Sequence, residues 1–275
     1  MAYVARLGAC RAVARVARVG GLSAAFVALA TPAIADTPIV SVWYRGLPAG
    51  QPRLDDLAAI KALGFTGVTW PGDATAGVPE LRRMAEIVGL TVVLRPERRV
   101  MRAETTPVSP THVDLPVSGE LASSIPARAW RAVARGARVL SFDHGEPFGT
   151  GTTGRGGQTP SWVAPAVAIA RQLSANARLV DQLRPGPPVT IEPSVSGVEV
   201  VLLDGGASWV LVATNTGAGT QKTEARLPPR TAYAIWISWI DGTDMAMLNT
   251  PQGPRWTFEI AAGKALVYII GKVQR

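Results

Sequence analysis

Three carboxylates could do acid–base chemistry here, and each follows a strand-like run. Glu146 and Asp143 stand beside His144, just after the apolar run 138–142 and at the head of a glycine-rich stretch, 145–157. Glu120 follows the run 112–117. A carboxylate near a second acid holds its proton more tightly, which suits a general acid, whereas a charged histidine opposes that shift. Other run ends carry Trp43, Tyr44 and Arg45, then Trp70 with Asp73, then Arg95 and Glu97. Aromatic rings beside carboxylates suit a saccharide. The C–H faces of a sugar pack on rings, and its hydroxyls bond to acids.

Other chemistries lack support. Gly149-Thr150-Gly151-Thr152-Thr153-Gly154 has the spacing of a nucleotide-binding loop, but it comes late in the chain and Pro160 separates it from the next helix. Such a loop belongs directly between a strand and a helix start. His112 and His144 are the two histidines, a weak case for a metal centre, so no metal site is expected. No cofactor is implied, and no G-x-S-x-G elbow stands at a strand–helix turn. The arginines from Arg95 to Arg102 could hold an anion, but a solvated loop is the simpler reading.

The elements that must position these residues follow from periodicity. Residues 38–44, 65–70 and 90–94 read as strands, separated by helices over 53–63 and 79–88 that stop at Gly64 and Gly89. A loop with Pro96, Pro107 and Pro110 follows. Next come a strand at 112–117, a helix capped by Ser124 with Pro126 in its first turn, and a strand at 138–142. One long helix is expected from Ser161 to Leu183. Alternating strands and helices with short links imply a parallel sheet. At Arg184-Pro185-Gly186-Pro187-Pro188 the period changes to two, and six to eight antiparallel strands are expected beyond it.

The first 35 residues suggest export. Arg6, Arg11, Arg15 and Arg18 precede an apolar stretch that ends in Ala33-Ile34-Ala35. That is the order of a secretory signal peptide, and a secreted or periplasmic location is expected. Cleavage there would leave 240 residues, remove Cys10, the single cysteine, and lower the formal charge from +8 to +4. A charge that mild does not suggest a nucleic-acid partner. No later stretch is long and apolar enough to anchor the mature chain in a membrane.

Residues 54–70, LDDLAAIKALGFTGVTW, resemble the first helix and second strand of barrel glycoside hydrolases of the β-galactosidase-like family 42 type. Residues 129–142, AWRAVARGARVLSF, are similar to the last barrel helix and strand of that family. The resemblance implies an α/β fold: a shortened or incomplete (β/α) barrel over 36–186, then a small antiparallel β-sandwich over 187–275. It implies a protein that acts on or binds a saccharide, with a non-catalytic binding or scaffold protein on a decayed barrel as the alternative. The family's two catalytic glutamates do not transfer. No Asn-Glu pair occurs, and residues 112–117 hold no glutamate. The residues carried forward are Glu146, Asp143 and Glu120 for catalysis. Trp43, Tyr44, Arg45, Trp70, Arg95, Glu97 and His144 are carried forward for contact with the saccharide. Five strands in place of eight leave an edge between the third strand and the His112 strand. That edge must be covered by the 95–110 loop, closed by direct pairing, or paired in an oligomer.

Overall fold

The computed structural model describes residues 38–44, 52–70, 77–94, 112–117, 119–143, 160–229, 233–239 and 248–272. The chain divides into two units, Met1–Ile34 and Ala35–Arg275, and all described residues belong to the second.

The first part alternates as its periodicity demands. Strand β1 (Ile39–Trp43), helix α1 (Leu54–Leu63), β2 (Gly67–Trp70), α2 (Val78–Val88) and β3 (Thr91–Leu94) come first. Strand β4 (His112–Pro116), a 3-10 turn (Gly119–Ser124), α3 (Ile125–Ala134) and β5 (Val139–Asp143) follow. Gly64 and Gly89 close α1 and α2 in the left-handed conformation, which costs a residue without Cβ little. The expected long helix is two, α4 (Val163–Ala175) and α5 (Ala177–Gln182). The break is at Asn176, whose side-chain amide donates to the Gln172 carbonyl at 3.0 Å, so the side chain satisfies a carbonyl of the last turn as the backbone leaves the helix.

The five strands lie parallel in the order β3-β2-β1-β5-β4. This is the order of a closed ring cut between β3 and β4, and each short crossover steps the same way round. Right-handed crossovers then place the helices on one face. Burial agrees: Val40, Val42, Val68, Leu115, Leu140 and Phe142 share one core with Leu57, Ile60, Leu81, Trp130, Ile169 and Ala170 from α1 to α4. The fold is an incomplete (β/α) barrel. Direct closure is excluded, because β3 and β4 are the two ends of the sheet.

The second part is an antiparallel sandwich. One sheet is ordered β11 (Tyr233–Ser238), β14 (Ala265–Lys272), β9 (Ser208–Asn215), β8 (Val198–Asp204), β6 (Arg184–Pro185). The other is ordered β12 (Leu248–Thr250), β13 (Gly253–Ile260), β10 (Gln221–Arg226), β7 (Thr190–Glu192). Alternation along β8, β9 and β14 sends Leu202, Leu211, Ala213 and Ile270 into the sandwich with Trp256 and Phe258. It sends Leu203, Val210, Val212 and Val267 the other way, into the core shared with α3 and α4.

Helix α3 therefore lies between the parallel sheet and the five-stranded antiparallel sheet. Its alanines, Ala127, Ala129 and Ala132, are buried and allow close approach. Ser124 does not cap it as expected. Its hydroxyl donates to the Leu121 carbonyl at 2.9 Å. The Ala127 N–H, which has no partner inside the helix, donates instead to the Gly263 carbonyl in the turn between β13 and β14, at 3.1 Å. Gly263 has φ +74, and a Cβ there would sit 2.6 Å from the Ser123 carbonyl oxygen. Replacing Gly263 with Ala should thus cost at least about 1 kcal/mol by forcing the turn off the helix end. Denaturant unfolding of the two proteins measures it, and an unchanged midpoint would show that the turn moves freely.

Candidate functional site

The face of the parallel sheet opposite the helices carries a polar cluster at its centre, beside Ile39, Val93 and Val139. Strand alternation places Ser41, Thr69 and Ser141 there, each at the middle of its strand and each fully buried. Their hydroxyls form a triangle. Ser41 Oγ is 2.7 Å from Thr69 Oγ1 and 2.9 Å from Ser141 Oγ, and Thr69 Oγ1 is 2.7 Å from Ser141 Oγ. Three hydroxyls supply three hydrogens, so a cyclic arrangement satisfies all three bonds. On β4, His112 Nε2 lies 2.8 Å from Ser141 Oγ and 3.3 Å from Asp114 Oδ1. The network crosses β2, β1, β5 and β4 in turn. Complete barrels fill this space with bulky branched side chains.

Asp114, His112 and Ser141 bring together the residue types of a hydrolase triad without its geometry. A triad histidine holds its carboxylate through Nδ1 and its serine through Nε2. Here both contacts fall on Nε2, and Ser141 has no exposed surface to offer a substrate. The network positions groups and does not attack a substrate. Its accessible end is the couple of His112 and Asp114, whose side chains are 24% and 33% exposed.

The C-terminal strand ends form the rim where barrel loops carry chemistry. Asp143 stands there, half-buried, on the same face as Ser141, and its carbonyl accepts the Val117 N–H at 2.9 Å. Asp114 pairs with Ser141, and Pro116 pairs with Asp143. Asp114 and Asp143 are therefore diagonal neighbours on one face. Arg45, Arg95, Glu97, His144 and Glu146 lie outside the described residues. Glu120 lies in the 3-10 turn and Trp43 at the end of β1, and only their backbones are described. Among the described residues, no three His, Cys, Asp or Glu side chains cluster as metal ligands, and no helix is long and apolar enough to cross a membrane.

Two expected saccharide contacts have a different place. Tyr44 and Trp70 share the parity of Val40, Val42 and Val68, so they face the helices, with exposures of 0% and 1%. Their ring centroids are 5.9 Å apart. Neither ring offers a surface to a ligand on the polar face. Tyr44 instead caps α1. Its hydroxyl accepts the Arg53 N–H at 2.8 Å and donates to Asp56 Oδ2 at 3.1 Å. In an ordinary capping box the third helical residue reaches back to the N-cap amide itself; here the tyrosine bridges that gap. Burial, with the Asp56 carboxylate adding to it, pushes the Tyr44 phenol up to about 12.

The residues that periodicity alone passed over are Ser41, Thr69, Ser141 and Asp114. The signal was present: a small hydroxyl at the centre of three otherwise apolar strands, in VSVW, VTW and VLSF.

No protein-family model matches the chain, and no curated protein sequence matches it. Among solved structures, it is similar to an α-amylase from Geobacillus thermoleovorans complexed with acarbose. The identity is 12% and the TM-score 0.42, over 80% of this chain and 63% of that one. It is also similar to a putative α-N-acetylgalactosaminidase from Bacillus halodurans, at 8% identity and TM-score 0.37, over 79% and 60%. A GH30 endoxylanase from Clostridium papyrosolvens matches at 10% identity and TM-score 0.35, over 86% and 97%. The chain thus spans less than two thirds of the length of the first two. Likenesses this distant carry no functional weight beside the geometry.

The Tyr44 bridge predicts both a stability and a pH effect. Tyr44→Phe leaves the Arg53 amide and the buried Asp56 carboxylate without their shared partner, at a cost of about 1–3 kcal/mol. The raised phenol pKa means that the wild-type bridge contributes fully below pH 10 and is lost as pH rises through about 12. Alkaline unfolding followed by circular dichroism should show that loss in the wild type and a smaller one in Tyr44→Phe. Parallel curves would remove Tyr44 as the cap.

Proposed function

We propose that this chain is an exported saccharide-binding protein of glycoside-hydrolase-like architecture, with its ligand seated at the C-terminal rim of the polar sheet face. The observation that carries this reading is that face itself. At its centre three fully buried hydroxyls meet the His112 imidazole, and the partly exposed His112, Asp114 and Asp143 side chains share that face. Asp143 and Asp114 accept hydrogen bonds, His112 can donate or accept, and the buried hydroxyls hold His112 in place. A ligand rich in hydroxyl groups fits such a surface better than an apolar one does.

Within this reading catalysis draws on Glu146, three residues past Asp143 and the candidate general acid. The non-catalytic alternative keeps the same surface for retention alone. Cleavage of the signal is part of the proposal and gives a mature chain that starts at Asp36, which mass spectrometry of the exported protein checks.

The discriminating experiment is a screen of the purified mature protein on aryl glycosides, with polysaccharide pull-down in parallel. Asp143→Asn should weaken saccharide retention under either alternative. If the protein is a hydrolase, Glu146→Gln should cut turnover by at least about a hundredfold, the scale of a lost acid–base group. Turnover that survives in Glu146→Gln removes that residue from the role. A wild type that neither turns over nor retains any saccharide overturns the whole reading.

A further inference from the structure

The parallel sheet ends on two edges, and they are built differently. The β4 edge carries His112, Asp114 and Pro116. Charges and proline are the usual means by which an edge strand discourages another strand from pairing. The β3 edge is Thr91-Val92-Val93-Leu94, with no charge and no proline. Its register on β2 runs unbroken from Gly67↔Thr91 to Trp70↔Leu94, so no bulge twists it away. Among the described residues β3 is bonded to β2 alone.

The direction of its free backbone groups is fixed. The Thr91 N–H donates to the Thr66 carbonyl at 2.9 Å, so the backbone groups of Thr91 and Val93 point to β2. Those of Val92 and Leu94 point outward, and they are the groups a further strand would bond. Two large apolar side chains of β3 and its neighbouring helix are exposed. Leu94 is 40% exposed, and Ile87 of α2, the helix that leads into β3, is 61% exposed.

The chain's own next residues suit this edge poorly. Arg95-Pro96-Glu97-Arg98-Arg99 is charged and interrupted by proline. The strand suits itself well. In an antiparallel pair of two β3 strands, Val92 and Leu94 exchange both bonds with Leu94 and Val92 of the other copy, and Val93 meets Val93 on the two-fold axis. Each of these three cross-strand pairs is then apolar, a favourable combination in a sheet. The exposed charges of α2, Glu80, Arg82, Arg83 and Glu86, cancel in sum, and Arg83 already bonds Glu80 at 2.7 Å. Two α2 helices can thus approach without net repulsion.

We propose that β3 is a dimerisation edge, paired antiparallel with β3 of a second copy of this chain in an isologous two-fold interface. The dimer joins two five-stranded sheets into one and removes the unprotected edge. It leaves the polar face and its rim in each copy unshared.

Sedimentation equilibrium of the mature protein across a dilution series tests this. The wild type should approach twice the mass of one chain. Leu94→Lys, and separately Ile87→Lys, should shift it to one chain, with far-ultraviolet circular dichroism and thermal unfolding like those of diluted wild type. Leu121→Lys, at an exposed leucine in the 3-10 turn, should leave the dimer intact. Hydrogen exchange adds a readout at the edge: protection of the Val92 and Leu94 amides should fall on dilution. A wild type that stays one chain at every concentration overturns the proposal. So does a dimer that survives both lysine variants, or amide protection independent of concentration, which would mean that the chain covers its own edge.

Discussion

Helix α3 is apolar on two opposite sides, and the rest of the structure depends on filling both. One side meets the parallel sheet, and the other meets β8, β9 and β14. Trp130 is the central contact. It is almost wholly buried and stands edge-on to Trp239, which follows β11, with centroids 5.1 Å apart. An aromatic pair in this geometry contributes beyond its buried area. The sandwich covers the outer side of α3, and one core runs from the parallel sheet into the antiparallel one.

That dependence is reinforced by polar keys at the joint. Glu199 on β8 accepts from Arg131 Nε at 2.6 Å and from Arg135 Nη2 at 2.9 Å, and Arg131 also donates to the Thr216 hydroxyl at 2.9 Å. These groups are partly exposed, so each pair alone contributes little. Their value is directional, because two guanidinium groups on one carboxylate fix the rotation of α3 against β8. The Gly263 turn fixes the start of the same helix. Both keys act on the helix that joins β4 to β5, the strands that carry Asp114 and Asp143.

On its other face the sheet meets the opposite constraint. Hydroxyls taken out of water must find partners, since each one left unsatisfied costs about 1–3 kcal/mol. Ser41, Thr69 and Ser141 satisfy one another, with the Leu140 carbonyl and His112 Nε2 as further partners of Ser41 and Ser141. The Ser141 contact holds His112 beside Asp114. A closed hydroxyl ring in the middle of the strands is thus a rigid base for groups nearer the rim.

Much of this architecture was legible in the sequence. The strand–helix alternation, the helix stops at Gly64 and Gly89, the change of period near residue 186 and the shortfall of barrel strands all follow from local residue type, and local chemistry decides them in the folded chain as well. The position of Asp143 at the end of a strand was legible for the same reason, since the end of an apolar run is a local feature. Other features were not, the helix break at Asn176 among them. Tyr44 and Trp70 look the same in sequence whether they line a site or a core, and only the parity of their strands against the helix layer decides between the two. Ser124 has the residue type of a cap, but the amide it would have served is taken by a carbonyl 136 positions along the chain. The hydroxyl triangle joins residues separated by 28, 72 and 100 positions. Each hydroxyl alone is an ordinary strand residue; their meeting depends on strand order and register, which are set when distant strands pair and which no local pattern encodes.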